Sequence, residues 1–441
     1  MNAGFRALRW GTGRSIRMEH KSGLKIAVIG SGVAGIVSAY LLQQKHDVTI
    51  FEKNDYCGGH THTIVIDDSP DAGTPVDTGF IVLNDRTYPL LNKFLSQLGV
   101  AIRPTDMSFS YLNPTTGLSY ASRNLNTIFA DRTNIIRPSF WRLLTGILQF
   151  NYKTQKNLYL GLLKGITLGQ YLQRENFSRS LIREYLIPMA AAIWSTPDIQ
   201  MMDFPAESFA RFFENHGLLS VTDQPQWYYV HGGSRTYVTA FLKNFTGRVS
   251  MQHGVAIVRR NPESVVVSTM DGDDETFDRV VIATHADEAY ALLADPSEDE
   301  IRLLSPWQYT KNYTVLHTDT SLLPRNPRAW ASWNYLSDSD NDENAHVTVT
   351  YHMNRLQHLA AKREYCVTLN PVRPIPAEHI IQDTVYTHPM YTFEALATQD
   401  KLPALNGRNN TYFCGSYFGY GFHEDAVRSA VDVAGRFGIE L

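Results

Sequence analysis

The residues Gly30-Ser31-Gly32-Val33-Ala34-Gly35 follow directly on the β-branched run Lys25-Ile26-Ala27-Val28-Ile29. In such a strand-to-helix turn each glycine has its own physical task. Gly30 makes the tight turn, Gly32 lets the backbone approach a pyrophosphate, and Gly35 lets the following helix pack on the sheet. The helix N-terminus adds free N–H donors and partial positive charge, so the chemistry on offer is dinucleotide binding through phosphates. Glu52 stands 22 residues after Gly30, at the end of a second run, Val48-Thr49-Ile50-Phe51. Its carboxylate can accept both ribose hydroxyls and would repel a 2′-phosphate. Gly11-Thr12-Gly13 carries half of the same pattern, but no strand precedes it and no third glycine follows. His60 and His62 alternate like two metal ligands on one strand face, yet no Cys or carboxylate cluster accompanies them, which argues against a metal.

Positioning these groups takes a strand, a helix and a second strand. The sequence supplies all of them, with Val33, Ile36, Val37, Tyr40 and Leu41 recurring at helical spacing between the two β runs. The 441 residues are 43% hydrophobic, 12% aromatic and 19% charged, the composition of a folded globular chain long enough for two or three domains. Lys plus Arg is 40 and Asp plus Glu is 44, a net charge of −4 without the basic excess of a nucleic-acid binder. Three scattered cysteines, Cys57, Cys366 and Cys414, argue against a disulfide framework and favour a reducing, cytoplasmic setting. Apolar runs such as Leu158 to Leu163 fall far short of the ~20 residues of a membrane-spanning helix. Residues 1–23 carry Arg6, Arg9, Arg14 and Arg17 without the apolar core of a secretory signal. They read as an unstructured extension, with Met18 as an alternative start, or as an organelle-targeting leader.

Glu52, a five-residue gap and then Gly58-Gly59-His60-Thr61-His62-Thr63 resemble the signature of the amine-oxidase superfamily of FAD enzymes. The resemblance implies an α/β fold, an FAD-binding Rossmann-like domain of the glutathione-reductase type interleaved with an α+β substrate domain. It also implies that Gly58, Gly59, His60 and Thr61 run along the FAD diphosphate, with Val33, Ala34 and Lys53 beside the glycine turn and the acid. His60 replaces the family's Arg, turning a fixed contact into a weaker, pH-sensitive one. Val76-Asp77-Thr78-Gly79-Phe80-Ile81 resembles the segment that brings backbone to the isoalloxazine ring, placing Gly79 and Phe80 there. A second block, Gln226 to Ser234, leads through a helix to Gly254-Val255-Ala256, where Val255 is expected to offer its backbone to the adenine. Ser264–Thr269 and Arg279–His285 around Asp271-Gly272-Asp273 read as a hairpin, ending in Thr284 and His285 beside the cofactor. The third block runs from Thr411 through Gly415 and Ser416 to Gly421-Phe422-His423-Glu424-Asp425-Ala426. Ser416 stands where the family usually has an acid for the ribitol, and Asp425 replaces a glycine at the helix start, as an N-cap or as a group tuning the flavin. Cys414 lies in the strand rather than where cysteinyl-flavin members attach, so FAD is expected to be non-covalent.

The segments follow as residues 24–84, 223–304 and 404–441 for FAD, and 85–222 and 305–403 for the substrate domain. Tyr185 to Ser195, Asn215 to Leu219 and Thr350 to Gln357, with Gly421 to Asp425, resemble a bacterial subfamily of predicted NAD/FAD-binding proteins. Its members often occur beside cyclopropane-fatty-acid-synthase-like methyltransferases, which implies a fatty acyl or phospholipid substrate and a methyltransferase partner. Residues 132–174 hold no acid while Arg132, Arg137, Arg142, Lys153, Lys156, Lys164 and Arg174 interleave with Phe140, Trp141, Leu144, Ile147, Leu148, Phe150 and Tyr152. This segment suits peripheral contact with an anionic membrane, or else forms ordinary helices with a solvated basic face. The superfamily fold would deliver Tyr417, Tyr420, His423 and Glu424 to the flavin edge, with His423 carrying a proton and Glu424 orienting it. The expected function is an FAD-dependent desaturase or dehydrogenase of lipid acyl chains, by hydride transfer to flavin N5. With only one dinucleotide fingerprint, oxygen, a quinone or another carrier would take the electrons. The rivals are an acyl double-bond isomerase, an amine oxidase and a non-catalytic flavin-bearing lipid-binding partner.

Overall fold

Lys25–Ile29 and Asp47–Phe51 are each buried over four consecutive residues, a pattern that requires cover on both faces of a sheet. Parallel pairing meets it. The strands run in the order Arg248–Ser250, Asp47–Phe51, Lys25–Ile29, Arg279–Ile282 and Thr411–Phe413, all parallel. Alternate residues then serve two different layers. Ile26, Val28, Val48, Ile50 and Val281 share a core with residues of the helices Val33–Leu42, Pro89–Gln97, Arg235–Asn244 and His423–Arg436. Ala27, Ile29, Phe51, Val280 and Ile282 face the other way, toward the antiparallel strands Val255–Arg260, Val265–Thr269 and Asp274–Phe277. This is a Rossmann-like FAD-binding domain with a separate substrate domain, and the computed structural model describes it over residues 21–194, 201–337 and 348–441. Residues 1–20, with most of the expected leader and Gly11-Thr12-Gly13, lie outside the described residues, as does Ser195.

Two expectations are corrected here. The hairpin partner of Val265–Thr269 is Asp274–Phe277, whereas Arg279–Ile282 enters the parallel sheet. The polar run Asp274-Glu275-Thr276 hides this strand from an apolar reading, yet it covers the sheet through Phe277, which meets Phe51 edge-on at 5.8 Å. The boundary expected at residue 84 also moves. Helix Pro89–Gln97 buries Leu91, Phe94 and Leu95 in the FAD-side core, and Ile102–Thr105 pairs with Trp227–Val230.

The second half is built on a seven-stranded sheet in the order Ile380–Pro389, Tyr309–His317, Cys366–Leu369, Thr348–His352, Trp333–Leu336, Phe109–Asn113 and Leu118–Ala121. Its neighbours are antiparallel except Trp333–Leu336 with Phe109–Asn113. The 22-residue helix Pro138–Tyr159 buries Phe140, Leu143 and Phe150 in the core of this half. No described helix is long and apolar enough to cross a membrane.

Candidate functional site

The glycine turn has the geometry of a phosphate cradle. Gly30 adopts φ +95°, and its N–H donates to the Phe51 carbonyl at 2.8 Å, tying the first strand's end to the second. A Cβ on Gly35 would lie 1.9 Å from the Gly30 carbonyl oxygen, so the helix can approach the strand only with glycine there. Gly32 differs, since a Cβ on it would meet no protein atom within 4 Å. Its need for glycine comes from whatever fills the cavity. Helix Val33–Leu42 begins with no side-chain cap and no acid in its first turn, which leaves its N–H donors for a ligand. Gly59, at φ +59°, brings the second glycine pair against the first, its Cβ position 3.1 Å from the Gly32 Cα. The Glu52 carboxylate accepts from the Ser31 N–H at 3.0 Å and the Asn54 N–H at 2.9 Å and lines the cavity. An uncapped helix start, an open Gly32 and a carboxylate at the cavity wall fit the FAD diphosphate and adenosine. Gly30, Gly32, Val33, Ala34, Glu52, Gly58 and Gly59 would hold them.

This cavity has a volume of about 1300 Å³ and is also lined by Lys53, His60, Gly79, Phe80, Val255, Thr284, His285, Gly415, Ser416 and Ala426. Lys53 is paired with Glu288 at 2.7 Å. A Cβ on Gly79 would lie 2.1 Å from the His60 carbonyl, so this turn closes on the His60 backbone. Thr61 stands behind the wall, its Oγ1 3.1 Å from His423 Nε2 and hydrogen-bonded to the Tyr237 hydroxyl. Sequence reasoning missed the strand Ile380–Pro389, which brings Tyr386 and His388 to His60, with ring centroids at 5.0 and 5.5 Å. His285 completes the group, 6.0 Å from His60 and stacked on Tyr309 at 4.4 Å. No cluster able to hold a metal occurs among the described residues. Burial, then the imidazoles of His388 and His285, hold His60 well below the ordinary histidine range. The side chain expected to titrate against a phosphate is therefore neutral in this arrangement.

The closing loop brings some of its expected residues together and separates others. Tyr417, Tyr420 and His423 line the cavity, and the His423 ring stacks on Phe80 at 3.7 Å. Burial lowers His423 to about 3, so it is not the near-neutral proton carrier that its type suggests. Glu424 does not orient it. Its carboxylate turns away to accept from the Leu90 and Leu91 N–H groups at 3.1 and 2.9 Å, at the start of Pro89–Gln97. Asp425 is the third residue of helix His423–Arg436 rather than its N-cap. It accepts from the Tyr420 and Phe422 N–H groups at 2.9 and 3.1 Å and pairs with Arg428 at 2.9 Å. Neither acid lines the cavity. Burial raises the Tyr417 and Tyr420 phenols above their ordinary value. Buried Tyr391, which carries no sequence signal, also lines the cavity, and neither its hydroxyl nor that of Tyr417 has a hydrogen-bond partner among the described residues. None of Cys57, Cys366 and Cys414 lines the cavity, and all three are buried thiols.

Residues 33–436 match the family described as flavin containing amine oxidoreductase. A stretch of 97 residues is 35% identical to a 1-hydroxycarotenoid 3,4-desaturase of Flavobacterium sp. (strain P99-3), covering 22% of this chain and 18% of the desaturase. Among solved structures, the chain is similar to a CLA-producing fatty acid isomerase from P. acnes, with TM-score 0.66, 16% identity and coverage of 95% of this chain and 100% of that one. Cyclohexylamine oxidase from Brevibacterium oxydans IH-35A gives TM-score 0.66 at 13% identity, over 94% of this chain and 98% of that one. Putrescine oxidase with bound putrescine gives the same TM-score of 0.66 and 13% identity over 94% and 98%. At these identities it is the fold that is shared.

Proposed function

The chain belongs to the flavin-containing amine oxidoreductase family and is an FAD-dependent oxidoreductase, and from that premise we propose that it dehydrogenates the fatty acyl chains of membrane lipid. The observation that carries this reading is the far end of the cavity, where Leu144, Ile147, Leu148, Tyr185, Met189 and Ile193 form an apolar wall. A free carboxylate would be the natural partner of an ammonium head. Among the described lining residues the acids are Glu52, Asp106 and Glu288. Glu52 is held by Ser31 and Asn54, Asp106 by Arg123 at 2.8 Å, and Glu288 by Lys53 at 2.7 Å. A long alkyl chain asks for none of them. The desaturase that shares a short stretch with this chain points the same way.

FAD, when bound, would supply the acceptor for the hydride from one carbon, and the proton lost from the neighbouring carbon would leave to water at the cavity mouth. The protein's part is to bind, orient and dry. Gly30 to Ala34 and Glu52 bind, while Phe80, Tyr417, Tyr420 and Phe422 form an aromatic wall that aligns an alkyl segment and excludes water. Burial keeps His423 neutral and these phenols protonated, so this wall works by position rather than by titration. With no cysteine among the described lining residues, the cavity offers no thiol for a cysteinyl-flavin bond. Anaerobic mixing of holoprotein with detergent-dispersed phospholipid tests the reading, and bleaching of the oxidised-flavin band is expected. Bleaching by amines and not by lipid would overturn it. The fold shared with the fatty acid isomerase over 95% of this chain favours a second reading, redox-neutral movement of an acyl double bond. In that case the flavin band stays unchanged while the double-bond position in the recovered lipid shifts.

A further inference from the structure

The helix that lines the apolar end of the cavity also carries an unpartnered surface. Of 18 exposed large apolar side chains among the described residues, nine fall between residues 125 and 162. A scattered set would need no explanation, whereas this one is contiguous. Trp141 donates from Nε1 to the Ile135 carbonyl at 2.9 Å and packs on Phe129 at 5.5 Å, joining Ile135 and Ile136 to the first turn of Pro138–Tyr159. Leu148, Tyr152 and Tyr159 continue the stripe along the helix at spacings of four and seven residues. Ile136, Tyr152 and Tyr159 are 82%, 68% and 91% exposed. Leu148 belongs to both surfaces, lining the cavity while 53% exposed, so the cavity opens at the edge of this stripe.

The charges on the stripe's own helix are all basic, while Glu214 of a neighbouring helix reaches it through Gln155 at 3.1 Å. Glu175 pairs with both Lys153 and Arg174, at 3.2 and 3.7 Å, and cancels one of their two charges. Arg142, Lys156 and Lys164 are exposed and have no ion pair among the described residues. Arg142 and Lys156 lie on the same helix as the stripe, and Lys164 lies just beyond its end.

We infer that residues 135–162, with Lys164, are the face by which this protein lies on an anionic bilayer, with the cavity mouth at Leu148 turned toward the acyl layer. Exposed aromatic and aliphatic side chains would enter the headgroup boundary and the basic groups would meet lipid phosphates. Substrate access from the bilayer rests on the acyl-chain reading above, but attachment itself does not. Sedimentation of holoprotein with vesicles of phosphatidylcholine, with and without phosphatidylglycerol, tests it. The protein is expected to pellet with the anionic vesicles and to be released by high salt. Arg142→Gln/Lys156→Gln/Lys164→Gln should lower the partition about a hundred-fold, about five-fold per charge. Ile136→Ser/Tyr152→Ser/Tyr159→Ser should abolish what remains while leaving FAD content and reduction by detergent-dispersed lipid unchanged. No pelleting with either vesicle, or equal pelleting of wild type and both variants, overturns the inference. Pelleting with neither flavin bleaching nor a shifted double bond in the recovered lipid leaves the docking face standing and removes the acyl-chain reading instead.

Discussion

His423 shows how far burial can separate a residue's type from its use. Its imidazole lies on Phe80 at 3.7 Å with Nε2 toward Thr61 at 3.1 Å, and desolvation takes it to about 3. A group with that value is neutral throughout the range between about pH 5 and 8 in which histidine normally switches. His423→Gln is therefore expected to keep its flavin and to leave the pH profile of anaerobic flavin reduction unmoved, with a rate change of only a few-fold. A step near neutral pH in the wild-type profile that vanishes in the variant would show that His423 does titrate. The type and position of His423 were legible in the sequence. Its charge state was not, because the residues that bury it come from Thr61 and Phe80, the former 362 positions away along the chain. The neutrality of His60 has the same origin, since His388 and His285 arrive from other elements.

Among elements, the strand-turn-helix unit could be read in full because its glycines answer to neighbours a few residues away. Two of them separate cofactor binding from folding. Gly35→Ala puts a methyl 1.9 Å from a backbone oxygen and is expected to lower stability by about 3 kcal/mol in urea unfolding. Gly32→Val places its side chain in open cavity, at φ −64° and ψ 176°, where any residue is tolerated. It should unfold like wild type stripped of FAD, yet bind no FAD in a flavin titration. If both variants lose stability equally, the cavity at Gly32 is not the cofactor's. The contact between helix Pro89–Gln97 and the closing helix was invisible by comparison. Glu424 looks catalytic in a loop expected at the flavin, but it satisfies the Leu90 and Leu91 amides across 334 and 333 positions. Glu424→Ala leaves two buried donors bare, at about 1–3 kcal/mol each. It should destabilise the fold while the holoprotein that remains reduces at the normal rate. A fold left intact with reduction slowed a hundred-fold would restore the catalytic assignment.

For the molecule as a whole, the parallel sheet and its FAD site could be anticipated from continuous β-branched runs and glycine turns, while the substrate half left few local signals. Tyr386 and His388 entered the cavity from the strand Ile380–Pro389 and Tyr391 from just beyond it, stretches that carry no motif. What the distant elements share is a large burden of buried neutral histidine. His216, His317 and His388 are lowered by burial to about 4 and His423 to about 3. In the unfolded chain each titrates near 6.5. Above that value both states are neutral and nothing is lost. As pH falls below it, the unfolded chain takes up protons that the folded one refuses until about pH 4, so stability drops across that window. At about 1.4 kcal/mol per unit, these four groups oppose folding by roughly 15 kcal/mol at the acid end. Two buried carboxyls act in the opposite sense, because Asp77 is raised to about 6 and Glu424 to about 7 and both gain as pH falls. Their offset is roughly 6 kcal/mol, so the histidines win. The urea midpoint of the holoprotein should therefore fall from about pH 7 downward. His317 lies outside the cavity, with its Nε2 2.7 Å from Thr368 Oγ1, so cofactor binding cannot account for its share. His317→Gln should make the decline shallower by roughly 3 kcal/mol over the same window, and a variant whose midpoints run parallel to wild type would show that His317 is free to protonate in the folded chain.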